Sequence, residues 1–487
     1  MSAKALFGAL LLLAGCGSAP AAVDAGEDAA PPVDAAPPLV EAGAPDVAEA
    51  SAPPRADVPA VTCTDAADAV YITPSLPTFT PASRGDVVRC APDYTLALSD
   101  VQSQTSGKGL STTMTTGVSV YRIAFRTERG DGSPGVSTAR VYLPAAPRAL
   151  PLPVLVAAHP TNGLADSTAP SMDPTSNEDL ALPWAGLGYA VIVPDYAGLG
   201  NEGVQSYLDN HDQAHAVLDG ARALRKLLAS GVFSSQVAVI GYSQGGGAAL
   251  SAQALASSYG CDGTLAAVVA FAPEWPTRMS SFGFVDMLEN PSELTIETGI
   301  SFNVVEVMRT YAYFYNRVGV PHADDGFPST QRTGFDGAIN SLAEVPLGGY
   351  LQANALHISD FIDDAFRASL LACIEDGETD AGCVDPGKSY FEFLSQNFVT
   401  PDPNGAKVLF VQGLADYVMP AASEGACNVA YLKAGGVTPQ VCVDPAAQHQ
   451  TVVGRNMDFA IPWLEAALTG TAAPACTATG TLPACAP

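Results

Sequence analysis

Gly241-Tyr242-Ser243-Gln244-Gly245 sets a serine between two glycines, directly after the apolar run Val237-Ala238-Val239-Ile240. An Ala- and Leu-rich stretch follows at 246–256. A β-branched strand that enters a Gly-x-Ser-x-Gly turn and leaves as a helix is the setting of a nucleophile elbow. The glycines let the backbone turn tightly without side-chain clashes. The helix N-terminus behind the turn aims backbone N–H groups at developing negative charge. The chemistry implied is attack by the Ser243 hydroxyl on a carbonyl carbon.

A serine hydroxyl needs a base, and the base needs a group to orient it. After such an elbow the acid and then the histidine follow in chain order. The six histidines are His159, His211, His215, His322, His357 and His449. Only His449 follows the late apolar strand at 408–412, in the loop Pro445-Ala446-Ala447-Gln448-His449. The acid should leave that strand, and Asp416 does so in Gly413-Leu414-Ala415-Asp416. Asp444 is too close to His449 along the chain, and Glu424 falls in a helical pattern. An oxyanion hole needs two backbone donors. Gln244, next to the serine, is expected to supply one. The loop His159-Pro160-Thr161-Asn162-Gly163 is expected to supply the other; Pro160 has no N–H, so the donor is Thr161. His159 reads as a packed strand-end residue that orients this loop.

These residues need a scaffold that gathers strand ends. Segments 118–127 and 136–143 read as a strand pair joined by a Gly-rich turn. Apolar strands follow at 154–158, 190–194, 236–240 and 265–272, with helix-length stretches at 213–229 and 246–257 between them. Strands alternating with helices predict an α/β fold with a mainly parallel sheet. Residues 63–110 are expected to form an irregular extension. The pattern breaks after 272, and helical patterns rich in aromatics (302–315, 356–373) fill the stretch to about 405. Strand character resumes at 407–412 and 439–443, before a last helix at 451–468. The reading is a core over 61–274 and 406–470, a mainly helical cap over 275–405, and a tail over 471–487.

Residues 1–16 read as an export signal: Lys4, an apolar run, then Leu13-Ala14-Gly15-Cys16, which resembles a bacterial lipobox with Cys16 as the lipidated residue. Such acylation would anchor the protein to a membrane. By resemblance to lipoprotein sorting rules, Gly17, a non-Asp residue after the cysteine, favours the outer membrane in a Gram-negative cell. Residues 17–60 are almost all Ala, Pro, Val, Asp, Glu and Gly, and read as a disordered tether. Net charge is −28, and residues 1–60 hold only eight acids and two bases. The acidic remainder excludes nucleic acid as a partner, since that needs clustered Lys and Arg. Of ten cysteines, four sequence-neighbour pairs suit disulfides in an exported chain: Cys63 with Cys90, Cys373 with Cys383, Cys427 with Cys442, and Cys476 with Cys485. Sequence does not fix connectivity. Cys261 is left as a buried thiol. No paired Cys/His spacing suggests zinc. The acidic loop 375–380 lacks EF-hand spacing and reads as solvated.

Pro194-Asp195-Tyr196-Ala197-Gly198-Leu199-Gly200, the helical pattern at 213–228, and Gly-Tyr-Ser-Gln-Gly-Gly at 241–246 resemble the secretory lipase family, which includes the fungal lipase A type and actinobacterial relatives. The resemblance spans residues 100–470. It departs where family members read His-Gly-Thr-Thr-Gly and this chain has His-Pro-Thr-Asn-Gly. It implies an α/β-hydrolase fold, a helical lid, a carboxylic-ester substrate, and no metal or organic cofactor. Tyr196 is expected to be structural. Two competing readings stay open: a capped serine peptidase on the same fold, and a tethered surface binding protein without catalysis.

Overall fold

Among the described residues, nine strands form one sheet in the order β1-β2-β3-β5-β4-β6-β7-β8-β9. The computed structural model describes residues 59–164, 168–173, 178–201, 205–280, 309–310, 312–313, 362–375 and 378–486. β1 (Val87–Leu96), β2 (Val118–Glu128) and β3 (Pro134–Pro144) pair antiparallel. β3 joins β5 (Val191–Pro194) antiparallel. From there β4 (Leu152–Ala158), β6 (Phe233–Tyr242), β7 (Thr264–Phe271), β8 (Lys407–Gly413) and β9 (Gln440–Asp444) continue in parallel. Six parallel strands thus bring their carboxyl ends to one edge, where loops collect functional groups.

The strands are apolar throughout because both faces are covered. Successive residues point to opposite sides. Val154, Val156, Val237, Val239, Val268 and Phe410 pack on one side, against α3 (Asn210–Leu227) and α4 (Gln244–Tyr259). Leu155, Ala157, Ala238, Ile240, Val269 and Val411 pack on the other, against α2 (Glu178–Gly186) and α8 (Val452–Thr469). The α/β-hydrolase class expected from sequence is the fold observed.

Two expectations need correction. The stretch 63–110 is not irregular: it contains β1 and α1 (Leu98–Gly107). β1 is an edge strand with register shifts around Val87/Arg89 and Pro92/Thr95. Those shifts and Pro92 break the two-residue alternation by which a strand is recognised. The second correction concerns cysteine pairing. Cys63–Cys90 and Cys373–Cys383 form, but Cys427 pairs with Cys485 and Cys442 with Cys476. The tail runs back along β9, so spatial neighbours differ from sequence neighbours. Cys261 is free and buried.

Between β7 and β8, α5 (Asp364–Glu375) and α6 (Gly387–Asn397) are helical. Most of the expected cap, Cys16 and nearly all of the tether lie outside the described residues. Among the described residues no helix is long and apolar enough to cross a membrane. After β8 comes α7 (Ala426–Ala434), ahead of β9.

Candidate active site

β6 ends at Tyr242, and Ser243 forms the turn into α4 with φ 54° and ψ −120°. Positive φ is costly for a residue with a side chain. The surroundings enforce it. Ser243 N–H donates to the Phe271 carbonyl at 2.9 Å, and its own carbonyl accepts from Gly247 at 3.1 Å and Glu274 at 2.9 Å. A Cβ on Gly245 would lie 1.9 Å from the Ala158 carbonyl oxygen, and one on Gly241 would lie 2.0 Å from that of Gly245. Only glycines let strand, turn and helix close this tightly.

The last two parallel strands deliver the partners. His449 Nε2 lies 2.9 Å from Ser243 Oγ. His449 Nδ1 lies 2.8 Å from Asp416 Oδ2. All three residues are at most 7 % exposed, so water screens these contacts little. Asp416 Oδ1 accepts the N–H groups of Val418 (2.9 Å) and Met419 (2.8 Å), which fixes the carboxylate. A carboxylate at Nδ1 holds the proton there and leaves the Nε2 lone pair facing the serine hydroxyl. The loops are joined by backbone bonds from Leu414 N–H to the Asp444 carbonyl (3.0 Å) and from Ala415 N–H to that of Ala447 (3.2 Å). These continue the β8–β9 pairing, whose last partners are Gly413 and Asp444.

Asp444 is held by Arg455 Nε at 2.7 Å, and that hydrogen bond lowers its carboxyl below the ordinary range. Glu424 is buried in the π-helical turn Ala421–Gly425.

Gln244 opens α4, with its side chain buried. Thr161 follows β4, and its hydroxyl meets the Tyr207 hydroxyl at 2.6 Å. His159 is fully buried, Nδ1 against the Pro160 carbonyl at 2.5 Å and Nε2 against that of Asp195 at 3.2 Å. Burial pushes its imidazole below the ordinary value. Tyr196 donates its hydroxyl to the His159 carbonyl at 3.0 Å and is fully buried, so it supports this loop from beneath. Asp195 is also fully buried, accepting from Thr138 Oγ1 (2.7 Å), from Ser171 N–H (3.0 Å) and from the Ser171 hydroxyl. Burial raises its carboxyl nonetheless.

One contact escapes sequence reading. The Tyr242 hydroxyl donates to the His449 carbonyl at 2.9 Å, with its ring 5.0 Å from the imidazole. Tyr242 is in the pentapeptide, but no pattern predicts a bond to a main-chain atom 207 positions away. Among the described residues no group of three or more His, Cys, Asp or Glu side chains is arranged to hold a metal ion.

The profile described as secretory lipase matches residues 178–274, which run from α2 through the Ser243 turn to the end of β7. No curated protein matches the chain. Among solved structures, the rice cell wall degrading esterase LipA from Xanthomonas oryzae superposes with a TM-score of 0.59 at 18 % identity, over 78 % of this chain and 97 % of that one. Candida antarctica lipase A in its closed state superposes with a TM-score of 0.57 at 17 % identity, over 82 % of this chain and 86 % of that one. At such identities the shared property is the fold. Profile match and fold agree: residues 178–274 are similar to the secretory lipase family, and the chain shares the α/β-hydrolase fold of these esterase and lipase structures, which supports a carboxylic-ester hydrolase.

Proposed function

We propose that Ser243, His449 and Asp416 act as a catalytic triad that cleaves carboxylic esters through an acyl-enzyme. His449 Nε2 takes the Ser243 proton as Oγ attacks the ester carbonyl. The oxyanion is held by the N–H groups of Gln244 and Thr161. Asp416 stabilises the imidazolium, which then protonates the departing alcohol. Water, deprotonated by His449, attacks the acyl-serine. The acid leaves, and Ser243 recovers its proton. The observation that carries this reading is the hydrogen-bonded series Asp416–His449–Ser243, built on a serine held at positive φ. The test is hydrolysis of p-nitrophenyl esters of graded chain length, with fluorophosphonate labelling in parallel. Ser243→Ala is expected to lose about a thousandfold or more in kcat and all labelling. Equal turnover by both forms would overturn the triad.

The same reading gives the enzyme its setting. Cys16 carries the lipid anchor on an exported chain, residues 17–60 hold the catalytic part off the membrane, and residues 275–405 cap the site. The outer membrane is the destination in a Gram-negative cell. Cys16→Ser is expected to move the protein from the detergent phase to the aqueous phase on partitioning. Unchanged partitioning would remove the anchor from the account.

A further inference from the structure

β9 is the last strand of the sheet, and the C-terminal tail lies along its outer edge. Gln440 Nε2 donates to the Pro474 carbonyl at 2.9 Å. Cys476 is bonded to Cys442 within β9. Gly480 N–H donates to the Val443 carbonyl at 3.0 Å, and a Cβ on Gly480 would lie 2.7 Å from that oxygen. The tail therefore crosses β9 at backbone contact, which only a glycine allows. Farther on, Cys485 is bonded to Cys427, and Ala486 N–H donates to the Ala422 carbonyl at 3.2 Å.

The two anchor points belong to different arms of the site. Cys442 sits two residues before Asp444, where β9 runs into the loop that ends at His449. Cys427 is in the first turn of α7, reached from Asp416 through a short bonded path. Along that path Met419 N–H donates to Asp416 Oδ1, the carbonyl of the next residue, Pro420, accepts from Glu424 N–H (2.9 Å) and Gly425 N–H (3.2 Å), and Cys427 follows Gly425 by two residues. The tail segment 476–485 is thus a covalent link from the strand carrying the base to the segment carrying the acid. It runs outside the backbone bonds that already join the two loops.

We propose that residues 471–486 form a positioning strap for the triad: the bridges Cys442–Cys476 and Cys427–Cys485 hold the Asp416 segment and the His449 strand in catalytic alignment. This rests on the triad reading. A strap of this kind acts on the chemical step, because a misplacement of about 1 Å at a catalytic group costs up to about a hundredfold in rate. A disulfide that only stabilises acts on the folded fraction.

The two roles separate in the full-length oxidised enzyme. The test compares Cys427→Ser/Cys485→Ser with wild type, and uses Cys63→Ser/Cys90→Ser, a bridge to β1 at the opposite edge of the sheet, as the control. Both are assayed at a temperature where near-UV circular dichroism matches the native form. For the strap variant, kcat and the fluorophosphonate labelling rate at Ser243 should fall about 5- to 30-fold, with KM within about twofold. The acid limb of its kcat/KM profile should move to lower pH, because a displaced Asp416 supports the imidazolium less. The control should lower only the melting temperature. A folded strap variant with wild-type kcat, labelling rate and pH profile would overturn the proposal. Should that variant not fold, the readout is wild type under graded reductant, with bridge opening followed by mass spectrometry. Labelling that falls in step with opening of Cys427–Cys485, at native dichroism, supports the strap; labelling that stays constant overturns it. Loss of the triad itself reads differently, as activity retained by Ser243→Ala.

Discussion

The base of the candidate triad is held from three directions, and each hold is a single identifiable bond. Asp416 fixes Nδ1, Ser243 meets Nε2, and the Tyr242 hydroxyl holds the main-chain carbonyl of His449. Tyr242 stands immediately before the nucleophile, so one residue couples the elbow to the loop of the base. A neutral hydrogen bond is worth about 1 kcal/mol net. Tyr242→Phe should therefore leave the melting temperature within a few degrees yet lower kcat about tenfold, with KM within about twofold. Full kcat in the variant would mean that the loop is fixed by Asp416 and the sheet alone. The grouping of Ser243, Asp416 and His449 was legible in the sequence because side-chain types and chain order carry the signal. Tyr242 was not legible in this role, because its partner is a carbonyl that every residue possesses. The supporting roles of His159 and Tyr196 were legible in kind: both lie at strand ends, and both are bonded beneath the Thr161 loop.

At the scale of elements, the parallel strands were the easiest to read. Segments such as Val154–Ala158 and Val237–Ile240 are unbroken apolar runs because both faces are buried, and their spacing leaves room for one helix each. β1 hid because an edge strand tolerates Pro92, and its two register shifts break the alternation. Polar residues such as Arg89 and Asp93 on it are used in pairing with Asp65 and Arg122, so they belong to the sheet rather than to a loop. Two of the four cysteine pairs failed for another reason. Nearness in sequence stood in for nearness in space, and the tail's return along β9 reversed it. Cys63–Cys90 and Cys373–Cys383 were readable because no element with a return path intervenes to offer a rival partner.

At the scale of the whole molecule, two buried imidazoles set a response to acid. His215 stacks on Tyr259 with ring centroids 3.8 Å apart, and its Nδ1 faces the Glu128 and Arg129 carbonyls. Burial pushes His215 and His159 below their ordinary value of 6.5, against the pull of Asp212 and Glu128 on the first and Asp195 on the second. Below about pH 6.5 the unfolded chain binds protons that the folded form refuses. This contribution to stability is complete above that pH and is lost as pH falls through the folded values. Asp195 and Asp219 are raised by burial and act with the opposite sign, so the comparison must isolate one group. His215→Phe keeps the stacking and removes the titration. Its melting temperature should start lower at pH 7 but fall less between pH 7 and 5 than that of wild type. Parallel slopes would show that His215 has no part in acid sensitivity. The pairing of Cys427 and Cys442 with the tail also has a consequence in time. As the chain is made, these two thiols arrive first and only 15 residues apart, and neither has its native partner until Cys476 and Cys485 follow. These two bridges therefore close last, so a chain interrupted or trimmed before residue 476 carries every residue of the candidate triad but neither lock.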